Sequence, residues 1–297
     1  MLIALDWGTS SLRAWLLDAT GAIAATRSAA LGIMHISDAR FEAAFLEVCG
    51  DWIEAHAGIR VIASGMVGSR QGWHEAPYVA CPAAIEDLIG ALLRFTTRDR
   101  TEIAIVPGVV LRTVVPDVMR GEETQVFGAL SAEFDGVLVL PGTHSKWVRV
   151  RRGRIESFVT FMTGELFSVL REHSILGRLM EVGRFDEEAF LRGVDAGVAP
   201  GGIAAKLFAV RTLGLFAEVA ASGLDSYLSG LLIGDELAEG RRRFAFEAGL
   251  PPALVGEPVL MDRYRRAFAR LGVTVATADT ASAVRGLWRI AVAAQLV

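Results

Sequence analysis

Near the start of the sequence, the residue best placed for chemistry is Asp6. It ends the apolar run 2–5 and precedes the small polar residues 8–11, after which a second apolar run begins. This pattern predicts a β-hairpin with Gly8 in its turn. The Asp6 carboxylate would then point into a cleft above the sheet, and the N–H groups and hydroxyls of the turn could line a phosphate.

A second acidic group, Glu122 and Glu123, directly follows Gly121. The pair opens a predicted helix, and a helix N-terminus favours the ionised carboxylate. We therefore expect both glutamates to be charged and able to accept a proton. Adjacent helical residues point about 100° apart, so only one of the two can face a cleft directly. The alternative is that both acids simply decorate a first helical turn.

The hairpin design occurs a second time, over residues 137–150. An apolar run leads to Gly142 and Thr143, and another apolar run follows. Lys146 lies in this copy, and because the sequence has only one other lysine, it hints at a point charge for a phosphate. Two such hairpins at corresponding points of two halves predict a duplicated fold that binds one nucleotide.

Segment 64–78, which follows the predicted strand 60–63, is rich in side chains suited to a small polar ligand. Arg70 can form a bidentate bond to a carboxylate. Ligands of α/β proteins bind at the carboxyl ends of strands, which favours substrate binding over a surface loop whose aromatic rings pack on the core. The candidate substrate residues are Ser64, Met66, Arg70, Gln71, Trp73, Glu75 and Tyr78.

Apolar periodicity predicts the elements between these motifs. Small residues on the helix 226–237 would admit a flat ligand or another backbone, and Gly256 would let a ribose and base approach. Strands are also predicted over 23–30, 102–106, 155–160, 253–258 and 273–276. Helices are predicted over 38–56, 83–95, 163–170 with Thr163 as the N-cap, 185–191, 201–215, 226–237, 259–271 and 281–294.

The composition excludes several classes of protein. The 297 residues suggest two domains, and a chain that is 52% hydrophobic can bury sizeable cores. A net charge of −4 argues against a nucleic-acid partner. No apolar run approaches the roughly 20 residues that span a bilayer, no signal peptide is evident, and the two cysteines and five histidines show no metal-ligand spacing. We expect a cytoplasmic protein without a membrane partner.

Taken together, the motifs resemble the sugar kinase, Hsp70 and actin superfamily. That resemblance implies an α/β fold of two ribonuclease-H-like domains with a nucleotide cleft between them, over 1–112 and 113–280, with the terminal helix 281–297 packing back on the first. Five motifs resemble, more narrowly, the 2-dehydro-3-deoxygalactonokinase family. They are Asp-Trp-Gly-Thr at 6–9, Ser-Gly-Met-Val-Gly-Ser at 64–69, Arg-Gly-Glu-Glu-Thr-Gln at 120–125, Pro-Gly-Thr-His-Ser-Lys-Trp at 141–147 and Thr-Gly-Glu-Leu-Phe at 163–167.

The family resemblance implies ATP-dependent phosphorylation of the 6-hydroxyl of 2-dehydro-3-deoxy-D-galactonate, in galactose and galactonate catabolism. It implies that Asp6 acts through Mg²⁺ and that Glu122 or Glu123 is the catalytic base. The implied nucleotide-binding residues are Gly8, Thr9, Ser10, Gly142, Thr143, His144, Lys146 and Gly256. A phosphohydrolase of the same fold, resembling exopolyphosphatases, a kinase for the gluco epimer and a non-enzymatic sugar sensor are the alternatives, and a homodimer is left open.

Overall fold

The chain divides into two compact units. The computed structural model describes residues 1–37, 39–129, 134–245, 251–278 and 281–297. The first unit comprises Met1–Asp135, Val150–Phe158 and Asp279–Val297, and the second Gly136–Arg149 and Val159–Ala278. The first unit thus extends beyond the boundary at residue 112 predicted from sequence, and it includes Glu122 and Glu123.

Both units combine strands and helices. The strands are β1 (Leu2–Trp7), β2 (Leu12–Leu17), β3 (Ile23–Ala29), β4 (Arg60–Ser64), β5 (Tyr78–Ala80), β6 (Leu93–Thr96), β7 (Glu102–Ile105), β8 (Gly108–Leu111), β9 (Asp117–Met119), β10 (Gly136–Leu140), β11 (Ser145–Arg151), β12 (Arg154–Phe161), β13 (Ala253–Leu254) and β14 (Ala276–Thr277). The helices are α1 (Phe41–Ala55), α2 (Ile85–Gly90), α3 (Glu122–Ala129), α4 (Thr163–His173), α5 (Glu187–Val198), α6 (Ile203–Leu207), α7 (Ala209–Leu215), α8 (Leu224–Arg243), α9 (Pro258–Arg270) and α10 (Ser282–Ala293). Among the described residues, no helix has both the length and the apolar character needed to cross a membrane.

A six-stranded mixed sheet, in the order β3-β2-β1-β4-β7-β6, organises the first unit. Strand β1 runs antiparallel to β2 and parallel to β4, which confirms the predicted hairpin. The side chains of residues 2–5 are buried, because β1 is covered on both faces, and this explains their continuous apolar run. The register pairs Asp6 with Arg13 on one side and with Ser64 on the other.

Helix α3, which begins with the two glutamates, is held against α10 by glycines. A Cβ atom on Gly128 would lie 1.8 Å from the Ser282 carbonyl oxygen, and one on Gly286 would lie 1.8 Å from the Thr124 carbonyl oxygen. The two helix backbones therefore touch, and only glycine fits at these two positions. The C-terminal helix is thus part of the framework that positions the acidic helix start.

The second unit is built around the long helix α8 and the strands of the second hairpin. Strand β10 is followed in its sheet by the parallel strands β13 and β14, in the overall order β12-β11-β10-β13-β14. A Cβ atom on Gly230 would lie 2.0 Å from the Phe190 carbonyl oxygen, and one on Gly234 would lie 2.4 Å from that of Val194. These small residues of α8 therefore serve close packing against α5.

Several element predictions were wrong in detail. The predicted helix 83–95 ends at Gly90, because Leu93–Thr96 instead pairs with β7 as an edge strand. The helix predicted over 201–215 is divided at Phe208 into α6 and α7, and the last strand is shifted to Ala276–Thr277. Helix α5 begins at Glu187, later than predicted, because the Asp186 carboxylate accepts a hydrogen bond from the Ala189 N–H at 3.0 Å and caps it there. Of the predicted helix 38–56, Asp38 lies outside the described residues.

Candidate active site

Asp6 lies at the carboxyl end of β1, as predicted, with 14% of its side chain exposed. Its carboxylate accepts a hydrogen bond from Arg13 Nη2 at 2.5 Å. Burial raises the pKa of Asp6, the Arg13 guanidinium opposes that effect, and the negative charge of Glu122 adds to it. Asp6 therefore lies within electrostatic range of Glu122, although the two residues are far apart in the sequence.

Two glycines with positive φ bring the motifs of the first unit together. Gly65 has φ +93°, and a Cβ atom there would lie 2.8 Å from the Trp7 carbonyl oxygen and 3.4 Å from Asp6 Oδ1. Gly121 has φ +106°, and its Cβ would lie 3.2 Å from Gly65 Cα. Both backbone conformations favour glycine. The end of β1, the start of the 64–78 loop and the start of α3 therefore meet at one place.

The two glutamates at this junction differ in their environments. Glu122 is partly exposed, and its carboxylate accepts a hydrogen bond from the Arg120 N–H at 3.1 Å. Glu123 is fully buried, and its carboxylate accepts from the Gly121 N–H at 2.7 and 2.9 Å. Burial and the Glu122 charge raise the pKa of Glu123 to about 8. The expectation that both acids are charged was therefore wrong for Glu123, because burial outweighs the helix N-terminus.

The turn of the first hairpin uses part of its backbone internally. The Gly8 N–H donates to the Ser11 carbonyl oxygen at 2.9 Å, so this group closes the turn. The carbonyl oxygens of Gly8 and Thr9 accept from Ile33 and Met34, both at 3.1 Å. Thr9 and Ser10 are exposed at the tip of the turn.

The aromatic residues of the 64–78 loop pack on the protein. The Trp73 ring belongs to the first core, with centroids 5.1 Å from Phe95 and 6.1 Å from Trp7. The Tyr78 ring lies under the Arg120 guanidinium, 4.3 Å from centroid to carbon. The alternative, in which the aromatic rings of this loop pack on the core, thus holds for the Trp73 ring.

The polar residues of the same loop lie at different depths. Arg70 is 87% exposed, and its Nε lies 3.6 Å from Glu75 Oε1. Ser64 is buried and accepts from the Thr124 hydroxyl at 3.3 Å, while Met66 packs partly buried against the core and Gln71 is exposed. Arg70 is therefore the solvent-exposed arginine of this loop.

Arg120 was not predicted from the sequence, although it lies inside one of the quoted motifs. Its side chain is 8% exposed, and Nη2 donates to the Ala76 carbonyl oxygen at 2.8 Å. Within the described part of the chain, Nε and Nη1 have no hydrogen-bond partner. The Arg120 side chain therefore links the 64–78 loop to the backbone directly before α3.

In the second unit, the turn of the second hairpin borders a cavity of about 220 Å³. Gly142 and Thr143 line it together with Thr163, Phe167 and Tyr264. Helix α4 begins directly against this turn, since the Glu165 N–H donates to the Thr143 carbonyl oxygen at 3.0 Å. The cavity combines apolar walls with polar turn groups, which is the usual character of a small-molecule site.

The remaining predicted residues of this turn lie near the cavity. His144 Nε2 is 2.5 Å from Glu165 Oε2, and the Lys146 ammonium donates to the His144 carbonyl oxygen at 2.7 Å while its side chain is buried. Gly256 has φ +150°, and a Cβ there would lie 3.4 Å from the Pro141 carbonyl oxygen. Gly256 thus lies beside the turn.

The prediction that Thr163 caps α4 was wrong. Thr163 is the first residue of the helix, and its hydroxyl donates to the Glu236 carboxylate. Glu236 was missed by the sequence analysis. Its only local signal is a helical spacing shared with the apolar residues Leu232 and Ile233.

The fold and the paired hairpin turns define the class, which is the mixed α/β fold of the sugar kinase, Hsp70 and actin superfamily. A solved structure of the activator of 2-hydroxyisocaproyl-CoA dehydratase from Clostridium difficile, with bound ADPNP, matches with a TM-score of 0.53. The match covers 99% of this chain and 95% of the activator's chain, at 11% sequence identity. It therefore shows a likeness in fold alone.

Within this class, the family is also clear. The model of the 2-keto-3-deoxy-galactonokinase family matches residues 6–290, and the chain belongs to this family. It is 39% identical to the DgoK1 protein of Rhizobium meliloti, over 95% of this chain and 93% of that one, and 37% identical to the 2-dehydro-3-deoxygalactonokinase of Escherichia coli, over 94% of each. A crystal structure from Sinorhizobium meliloti, described as a candidate 2-dehydro-3-deoxygalactonokinase, is 37% identical, with a TM-score of 0.89 and 99% of each chain covered.

Proposed function

We propose that this protein transfers the γ-phosphoryl group of ATP to the 6-hydroxyl of 2-dehydro-3-deoxy-D-galactonate, in galactonate catabolism. The observation that carries the proposal is the junction of Asp6, Gly65 and Gly121, which places a partly exposed glutamate within electrostatic range of an aspartate. Membership of a galactonokinase family supports the substrate class. Phosphoryl transfer needs positioning and charge neutralisation more than covalent help, and this junction supplies charged groups on a fixed backbone.

In this mechanism, Glu122 is the base. As the O6–P bond forms and the bond from the γ-phosphorus to the leaving ADP oxygen breaks, the proton of the 6-hydroxyl passes to the Glu122 carboxylate. Glu123 is not suited to this role, because it is fully buried and its raised pKa of about 8 keeps it protonated at neutral pH. Its carboxyl group instead holds the Gly121 N–H and so fixes the start of α3.

Asp6 is the residue that we propose to hold Mg²⁺. Magnesium sites in kinases use one or two carboxylates together with the substrate phosphates, and the Asp6 carboxylate at the end of β1 fits that donor set. Among the described residues, no group of three His, Cys, Asp or Glu side chains could hold a metal by itself. When bound, Mg²⁺ would neutralise phosphate charge.

We propose that the residues predicted from sequence bind the nucleotide and the sugar acid. Arg70 would bind the substrate carboxylate, because it is the exposed cation of the 64–78 loop. Thr9 and Ser10 would bind phosphate from the first unit, and the turn Gly142–Lys146 with Gly256 would do so from the second. A cytoplasmic location, where ATP is available, and a homodimer stay predictions, and sedimentation would test the latter.

The decisive experiment is a coupled assay of ADP formation with ATP, Mg²⁺ and each epimer of the 2-keto-3-deoxy acid. The proposal expects turnover with the galacto epimer and only slow phosphate release without a sugar acid. Faster turnover of the gluco epimer would reassign the substrate. Release of phosphate from ATP at the same rate with and without sugar acid would instead identify a phosphohydrolase. The Glu122→Gln variant should abolish most sugar-dependent turnover, which separates it from a contaminating kinase.

A further inference from the structure

Glu236 is a buried acid in the middle of α8 with four hydrogen-bond donors. Glu236 is only 2% exposed to solvent. Oε1 accepts from Ser145 Oγ at 2.7 Å and from Trp147 Nε1 at 2.8 Å. Oε2 accepts from the Tyr264 hydroxyl at 2.6 Å and from the Thr163 hydroxyl.

These four donors saturate the carboxylate. An ionised carboxylate has about four lone-pair sites on its two oxygens, and the indole N–H of Trp147 can only donate. Burial raises the pKa of Glu236, and the four donors oppose that effect. Burying an acid costs free energy unless all its hydrogen-bond partners are present. The four donors meet that cost for Glu236, and the question is what this buried network does.

The four donors come from three different elements, of which α4 and α9 line the 220 Å³ cavity and β11 follows a turn that lines it. Ser145 and Trp147 lie on β11 directly after the second hairpin turn, Thr163 begins α4, and Tyr264 lies on α9. Thr163 and Tyr264 line the cavity, whereas Glu236 is not among its lining residues. Glu236 therefore lies behind the wall of the cavity and joins the elements that form it.

We propose that Glu236 is a positioning residue for the nucleotide. By holding Thr163, Tyr264 and the end of the second hairpin turn in one arrangement, it shapes the cavity that receives ATP. A cavity whose polar wall groups are already fixed loses less conformational freedom when the nucleotide binds. This inference rests on the proposed function, in which that cavity takes the nucleotide.

The Glu236→Gln variant tests the inference at the level of single atoms. The amide oxygen can still accept from Trp147 and Ser145, but the NH₂ group cannot accept from Thr163 and Tyr264. The two hydroxyls that line the cavity must therefore turn. We expect the KM for ATP to rise at least fivefold, while the KM for the sugar acid stays within twofold. The Kd for ADP, measured by calorimetry, should rise to a similar extent as the KM for ATP.

The matched control is Glu239→Gln, the same chemical change three residues further along α8. Glu239 bonds Arg242 and Arg243 on the surface, so both KM values should stay at the wild-type level. A second test variant, Tyr264→Phe, removes one donor and keeps the ring, and it should shift the KM for ATP in the same direction by less. It serves if Glu236→Gln does not fold, as judged from its thermal unfolding.

Three outcomes separate the two proposals. If folded Glu236→Gln or Tyr264→Phe keeps the wild-type KM for ATP and Kd for ADP, Glu236 has a structural role only and the inference is overturned. A fall in kcat with both KM values unchanged would also overturn it. If the wild-type protein shows no sugar-dependent turnover but its affinity for ADP still depends on Glu236, the proposed function fails and the inference stands.

Discussion

Replacing Glu123 with Gln should change how the stability of the protein depends on pH. Glu123 is fully buried at the start of α3, and burial together with the charge of Glu122 raises its pKa from 4.5 to about 8. The native protein therefore keeps this proton at neutral pH. The unfolded chain, in contrast, releases it near the ordinary glutamate pKa.

The sign and size of the effect follow from proton linkage. Between about pH 4.5 and 8 the native state binds more protons at this site, so its contribution to the free energy of unfolding falls as the pH rises. A displacement from 4.5 to about 8, at about 1.4 kcal/mol for each pH unit, corresponds to about 5 kcal/mol in total. Of this, about 4 kcal/mol falls between pH 5 and 8.5. Glutamine does not titrate, so the variant lacks this slope.

The measurement is equilibrium urea unfolding of wild type and Glu123→Gln at pH 5, 7 and 8.5, followed by tryptophan fluorescence. We expect the two proteins to be close in stability at pH 5 and the variant to gain about 4 kcal/mol over wild type by pH 8.5. Glu54→Gln, at an exposed position of α1, is the control and should follow wild type. Parallel profiles for Glu123→Gln and wild type would mean that Glu123 is ionised in the native state, and the burial argument would fail.

Further predictions concern the junction, the loop and a helix contact. Glu122→Gln should lower turnover at least tenfold relative to Glu123→Gln in the coupled assay, because the partly exposed Glu122 is the proposed base and the buried Glu123 keeps its proton at neutral pH. Equal, near-normal rates would remove the base assignment. Arg70→Ala should raise the KM for the sugar acid and leave that for ATP unchanged, and if neither constant moves, the loop has another role. Gly128→Ala places a methyl group 1.8 Å from a carbonyl oxygen of α10, so it should lower the thermal unfolding midpoint by several degrees, whereas Gly90→Ala, with open space at its Cβ, should not; equal midpoints would refute the packing argument.

Much of the fold could be predicted because its signals are local. The apolar run ending at Asp6 and the turn after it define the first hairpin, and the same pattern defines the second. The helix predicted over 83–95 was wrong at its C-terminal end, where the structure has strand β6. Residues 93–96 alternate apolar and polar side chains, a spacing of two that suits a strand, and their backbone pairs with β7 across the short connection 97–101. The helix prediction extended over this local strand signal.

The site was predictable as a set of motifs and less so as a set of charges. The motifs that contain Asp6, Gly65, Gly121 and Glu122 could be recognised from sequence, and the structure brings the backbones of these motifs together. The raised pKa of Glu123 and the four donors of Glu236 could not be predicted from the sequence, because burial of a carboxylate depends on residues from several separate elements. For Glu236 those donors are 28 to 91 positions away in the sequence, and helical periodicity carries no information at that range.

The composition of the two units also sets an order of events during synthesis. Residues 136–278, which contain the whole second unit, leave the ribosome before the last nineteen residues that complete the first. Domains usually fold from the N-terminus onwards as they are made. Here α3 packs on α10, so the glycine contacts between the two helices form only after residues 282–293 have been made. A nascent chain stalled before residue 279 would carry a finished second unit and an acidic helix that still lacks its support.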